Sequence, residues 1–207
     1  MPIRMPRLTV MLLSGVFALS GSVVAQTSAG SPPPTAASAA QSKELTQAQL
    51  EQLLAPVALY PDALLAQILM ASTYPLEVVE AARWRKANPS LKEKALDDAL
   101  MTQPWDESVK SLTTFPPVLE MMNEKLSWTQ QLGDAFLADQ QRVMSAVQKL
   151  RKAANDTGNL KSTKEQVVVV EQAASETVIK IEPADPQVVY VPSYNPTVVY
   201  GTWPYPA

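Results

Sequence analysis

Residues Leu53 to Met70 read LLAPVALYPDALLAQILM, two apolar segments divided by Pro56 and Pro61. Pro56 interrupts a first helical segment that carries Leu50, Leu53 and Leu54, with Thr46 placed as its N-cap. Tyr60-Pro61-Asp62 then opens a second helix. Proline suits the first helical position because its missing N–H has no partner to lose there, and Asp62 suits the positive helix end. The segment that follows holds Leu64, Leu65, Ile68, Leu69 and Met70. A helix apolar nearly all round has no solvent face, so it is expected at the centre of a helical core. It is far too short to cross a bilayer.

The same opening recurs downstream. Tyr74-Pro75 precedes Leu76 to Val79, and Phe115-Pro116-Pro117 precedes Val118 and Leu119. Each reads as a helix start, with the aromatic just outside packing back as a staple. The helix after Pro75 carries Glu77, Glu80, Arg83, Trp84, Arg85 and Lys86 and closes at Asn88-Pro89. Its cations suit the negative helix end better than a nucleic-acid surface. Another helix is expected from Ser90, with Asp97 and Asp98 outward and Leu96 and Leu100 inward. Residues 127–156 read as one long final helix, with Leu132, Phe136, Val143, Val147, Leu150 and Ala154 at three- and four-residue steps. Either it lies across the smaller helices, or it pairs with a partner or a second copy of itself.

Beyond Gly158 the pattern changes. Gln166–Glu171 and Glu176–Glu182 are rich in β-branched residues, and the second alternates apolar and polar. Gln172–Ser175 would form the hairpin turn. Then Pro186-Gln187-Val188-Val189-Tyr190 is echoed by Pro196-Thr197-Val198-Val199-Tyr200. The doubled phrase reads as two further short strands turned at 192–196, with Tyr190 and Tyr200 toward the core. The expected class is α+β, a mainly helical domain over 45–157 followed by a small antiparallel β module over 158–201, packed on the helices.

The N-terminus reads as a transport address. Arg4 and Arg7 precede an uncharged apolar run from Leu8 to Val24, and Val23-Val24-Ala25 before Gln26 fits a cleavage site. Ser14, Gly15, Ser20, Gly21 and Ser22 interrupt the run, which argues against a membrane anchor. Residues 26–44 are an Ala/Ser/Pro-rich flexible linker. Loss of Arg4 and Arg7 leaves 15 basic against 20 acidic residues, a net charge near −5. Such a chain has no general attraction to nucleic acid or anionic lipid. No integral membrane span is expected after cleavage near Ala25-Gln26, and the destination is the periplasm, the cell surface or the medium.

The chain has no histidine and no cysteine. It therefore cannot build a Ser-His-Asp or Cys-His nucleophile, an imidazole base, or a Cys/His zinc site. No serine is followed three residues later by lysine, and the six glycines are too scattered for a phosphate loop. No catalytic, cofactor-binding or metal-ligating residue is assigned.

Several motifs together carry a family resemblance. They are the opening stretch, Pro104-Trp105-Asp106, Trp128-Thr129-Gln130-Gln131-Leu132-Gly133, Gly158-Asn159-Leu160, and Glu182-Pro183-Ala184-Asp185-Pro186 leading into VVYVP. The chain resembles, from about residue 45 to about residue 201, a bacterial exported family known as domain of unknown function 3300. The resemblance implies export to the periplasm or cell surface and supplies no activity, cofactor or catalytic residue. Members often continue into a tail rich in proline and aromatics, and residues 202–207 begin such a pattern.

Two functional readings follow. The first is a non-enzymatic envelope or secreted protein that binds an envelope protein or a cell-wall polymer, or assembles through the long helix. Its candidate partner-binding residues are Tyr194, Trp203 and Tyr205, because tyrosine and tryptophan give large contact area at low entropic cost. The second is a glycan hydrolase working with two carboxylates. Its candidate pairs are Glu77 with Glu80, Asp97 with Asp98, Asp106 with Glu107, and Glu120 with Glu124.

Overall fold

The computed structural model describes residues 45–172, 177–185 and 188–202. Helix α1 (Gln47–Leu54) starts at Thr46, whose side chain and that of Gln49 form a reciprocal capping box. The chain then turns through Ala55–Tyr60 into α2 (Asp62–Ala71), where Pro61 stands at the N-cap, one residue earlier than expected. Leu64, Leu65, Ile68, Leu69 and Ala71 are buried and make α2 the central helix, but Ala63, Ala66 and Met70, the last 46% exposed, leave it the solvent face that its composition does not predict. Burial of each such large aliphatic side chain contributes about 1.5–3 kcal/mol.

The other helices pack partly on α2 and partly on one another. Helices α3 (Pro75–Ala87) and α6 (Pro116–Glu124) each carry proline in the first turn with the aromatic at the N-cap. Helix α4 (Glu93–Leu100) begins at Glu93 rather than Ser90, and α5 (Glu107–Leu112) is capped by Asp106. Helices α5 and α7 pack on α2, and α6 packs on α3.

The expected helix over 127–156 is two helices. Helix α7 spans Leu126–Ala138 and α8 spans Gln140–Asp156. Asp139 between them is extended (φ −159°, ψ 92°), and its side chain accepts from the N–H of Arg142. The polar turn at Asp139-Gln140 is thus an N-cap, and α8 is the long final helix. Leu132, Val143, Val147, Leu150 and Ala154 are all buried in this chain's own core. The stripe that would serve self-association is therefore used internally.

Strands β1 (Gln166–Gln172) and β2 (Thr177–Pro183) form an antiparallel pair in which Val168 faces Ile181 and Val170 faces Ile179. Ile179 and Ile181 belong to the same hydrophobic core as the helices, and β2 lies on α2 and α8. The class is mainly helical α+β. Residues 173–176, expected as the turn, lie outside the described residues.

The doubled phrase does not make two more strands. Val188 makes only an isolated bridge to Asp185, and Pro196–Val199 is a short helix, α9. Asn195 accepts from the N–H of Thr197, and Pro196 sits in the first turn, so the local chemistry favours helix. A third strand would also find no open edge where β2 packs. Ile179 N–H donates to Gln148 Oε1 (2.8 Å), Ile179 O accepts from Gln148 Nε2 (3.1 Å), and Ile181 N–H donates to Asp62 Oδ1 (3.3 Å). On the far side, Val168 N–H donates to Ser162 Oγ and Gln166 N–H to Thr163 Oγ1. These side chains close both edges, which otherwise invite pairing. Tyr200 is buried as expected, but Tyr190 is 42% exposed and Val188 61% exposed, so neither belongs to the core.

Candidate functional site

The sequence places its functional suspicion on Tyr194, Trp203 and Tyr205. Trp203 and Tyr205 lie outside the described residues. Tyr194 is held against the turn that opens α2. Its hydroxyl donates to Ala55 O (2.9 Å) and accepts from Leu59 N–H (3.3 Å). Its ring meets Tyr60 and Tyr200 edge-on, with centroids 6.3 Å apart in each case. Burial pushes the Tyr194 and Tyr200 phenols far above their ordinary range. The Tyr194 hydroxyl is engaged within the chain.

Beneath this cluster lies a buried cation. Arg151 on α8 is 1% exposed. It donates to Ala58 O (2.8 Å), Tyr60 O (3.0 Å), Ile179 O (2.9 Å) and Asp62 Oδ1 (2.5 Å). The fixed fork of a guanidinium satisfies carbonyls from two directions at once. Arg151 thereby ties α8 to the Ala55–Pro61 turn, to α2 and to β2.

The other distinctive motifs are also used for the fold. Trp105 is buried, stands edge-on to Trp84 and donates Nε1–H to Glu80 Oε2 (3.1 Å). Asp106 N–H donates to Glu77 Oε2 (2.6 Å). The Asp106 carboxylate accepts from the hydroxyl and N–H of Ser108, and these bonds hold its pKa below the ordinary value. Trp128 Nε1–H donates to Leu53 O, and Thr129 Oγ1–H to Met122 O. Gly133 lies so close to the end of α2 that a Cβ there would stand 2.2 Å from Ser72 O. Asn159 Nδ2–H reaches Val199 O and anchors the C-terminal segment.

This assigns most of the carboxylate pairs. Glu77 and Glu80 hold the Trp105-Asp106 corner, Asp106 caps α5, Glu107 pairs with Lys110, and Asp98 pairs with Lys94. Among the described residues no group of three or more acidic side chains could hold a metal ion.

Glu120 and Glu124 are different. They line a cleft of about 480 Å³ between α3 and α6, opposite Arg83 and Lys86. All four side chains are exposed. Spacings of three on α3 and four on α6 put each like-charged pair on one helical face. No ion pair joins the two sides or engages any of the four among the described residues. Like charges at such spacing destabilise a helix by about 0.2–0.5 kcal/mol per pair, a cost that α6 carries here, whereas Lys86 in the last turn of α3 is favoured by the helix dipole. Their neighbour Arg85 behaves otherwise: its guanidinium donates to Thr113 O, Leu91 O and Asn88 O and closes the end of α3. Ala82, Pro89, Pro116 and Leu119 supply the apolar lining. The sequence shows the cations and the acids separately. It has no signal that brings positions some 35 residues apart across one cleft.

Among the described residues no helix is long and apolar enough to cross a membrane. No solved structure matches the chain. The uncharacterised protein YacH of Escherichia coli (strain K12) is 49% identical over 184 residues, covering 75% of this chain and 30% of that protein. The chain therefore spans under a third of the length of that relative. Residues 46–207 match the family described as protein of unknown function, DUF3300, and the chain belongs to that family.

Proposed function

We propose that this protein is exported to the periplasm or cell surface and acts there without catalysis, by binding an envelope component at the α3–α6 cleft. The observation that carries the binding reading is the cleft itself. Elsewhere the distinctive side chains hold the fold, whereas Arg83, Lys86, Glu120 and Glu124 face an open volume without ion partners. Glu120 and Glu124 stand like-charged on one face of α6 with no cation paired to them among the described residues, and a local conflict of that kind supports a functional role for the cleft. Export is supported by Arg4, Arg7 and the apolar run from Leu8 to Val24.

The export half is tested by fractionating cells and weighing the product. A periplasmic or secreted chain beginning near Gln26 is expected, and an unprocessed cytoplasmic chain overturns it. The binding half is tested by co-sedimentation with purified envelope fragments. Charge removal by Arg83→Gln with Lys86→Gln should lower the sedimented fraction while lowering the melting temperature by no more than a few degrees, the loss of a cation at the end of α3. Equal sedimentation removes the cleft from the proposal. Deleting residues 202–207 tests Trp203 and Tyr205, and weaker envelope association with an intact fold is expected.

The hydrolase reading retains Glu120 and Glu124, since this pair shares a cleft. Release of reducing ends from purified wall glycan, lost in Glu120→Gln, would replace the binding reading.

A further inference from the structure

We propose that the α3–α6 cleft takes a short zwitterionic peptide, with its carboxylate at Arg83 and Lys86 and its ammonium at Glu120 and Glu124. This rests on the binding reading above and names the ligand class.

The two sides of the cleft carry opposite signs, and neither side reaches the other within ion-pair distance. A single ligand that satisfies both sides must therefore carry both signs, separated by a spacer. A polyanion would meet Glu120 and Glu124, and a metal cation would meet Arg83 and Lys86. Like-charge juxtaposition rejects each of them. A neutral apolar ligand would desolvate charged groups without pairing them, which is costly. A peptide with free ends meets every condition. Its carboxylate suits a guanidinium and an ammonium, and its amine suits two carboxylates. Its backbone spacer lies along Ala82, Leu119 and the two prolines. The volume of about 480 Å³ is that of a small-ligand cleft rather than of a protein interface.

The test titrates the purified chain with trialanine, N-acetyl-trialanine and trialanine amide, read by amide chemical shifts and calorimetry. Free trialanine should shift the amides of Ala82, Leu119 and Asn123. Acetylation and amidation should each weaken binding by about two- to fivefold, the worth of an ion pair at exposed side chains. In Arg83→Gln with Lys86→Gln, amidation should no longer matter while acetylation still does. In Glu120→Gln with Glu124→Gln, the reverse should hold. The substitutions lie at exposed positions, and circular dichroism melts check that the fold is kept. Equal affinity for all three peptides, or no shift at the cleft, overturns the proposal. If the peptides fail while envelope co-sedimentation still depends on Arg83 and Lys86, the ligand class is wrong and the binding reading stands. If that co-sedimentation is also independent of the cleft, both fall.

Discussion

Tyr194 and Tyr200 donate their hydroxyls to one and the same acceptor, Ala55 O, at 2.9 and 2.7 Å, with their rings edge-on at 85°. A carbonyl oxygen has two lone pairs, and these two phenols occupy them. The acceptor lies in the turn before α2, over 130 residues away in sequence. The C-terminal segment is thus fastened to the start of the core.

This sharing predicts non-additive substitutions. Tyr200→Phe alone leaves Ala55 O bonded to Tyr194 and should cost about 1 kcal/mol. With Tyr194→Phe added, Ala55 O and Leu59 N–H lose their tyrosine partners together. The pair should then cost more than the sum of the singles, by about 0.5–3 kcal/mol in a double-mutant cycle of urea unfolding. Strict additivity would show that the two bonds are independent.

The same burial predicts alkaline sensitivity. Burial raises both phenols, and that of Tyr60, above the ordinary value of 10.0. The folded chain keeps these protons when the unfolded chain releases them. Their contribution is therefore full below about pH 10 and declines as pH rises above it. Thermal melts should fall steeply above that pH, with a shallower fall in Tyr194→Phe/Tyr200→Phe. Tyrosinate absorbance that arises from these two residues near pH 10 while the far-ultraviolet circular dichroism stays native would contradict the assignment.

Arg151 joins four acceptors from three parts of the chain. Arg151→Ala should destabilise by about 3–5 kcal/mol, because it leaves buried carbonyls without donors. Arg151→Lys should restore little, since an ammonium cannot span the same fork. Denaturant midpoints of the three chains decide it, and near-native stability of the lysine variant would sink the geometric argument.

Gly133 on α7 faces the backbone of Ser72 rather than a side chain that could move aside. Gly133→Ala should therefore cost about 3 kcal/mol, despite alanine's better helix propensity. At about 2–4 °C per kcal/mol for a chain of this size, the melting temperature should fall by roughly 6–12 °C. An unchanged melting temperature would mean that α7 can slide from the end of α2 without cost.

Asp139→Ala removes the side chain that starts α8 and should cost about 1 kcal/mol. Asp139→Asn or Asp139→Ser should recover most of it, measured in the same melts. Full stability of the alanine variant would show that α7 and α8 hold their junction by packing alone.

Much of the architecture is a property of the sequence alone. Proline and aromatic pairs start α3 and α6, Thr46 with Gln49 starts α1, and Leu64, Leu65, Ile68 and Leu69, at helical spacing, face inward. These are local effects, settled by residues three or four apart, and they need no knowledge of the rest. The lack of histidine and cysteine likewise excludes whole classes of chemistry before any fold is known. Tertiary structure decided the rest. The two Pro-x-Val-Val-Tyr phrases differ in outcome although they share their wording: Tyr190 is exposed and Tyr200 is buried. A strand needs an open edge, and the sheet's edges are closed by Gln148, Asp62, Ser162 and Thr163, which only packing brings there. The cleft has the same origin. Arg83 and Lys86 stand across one cleft from Glu120 and Glu124 because α3 packs on α6, a long-range choice made by the core beneath them and not by the charges themselves.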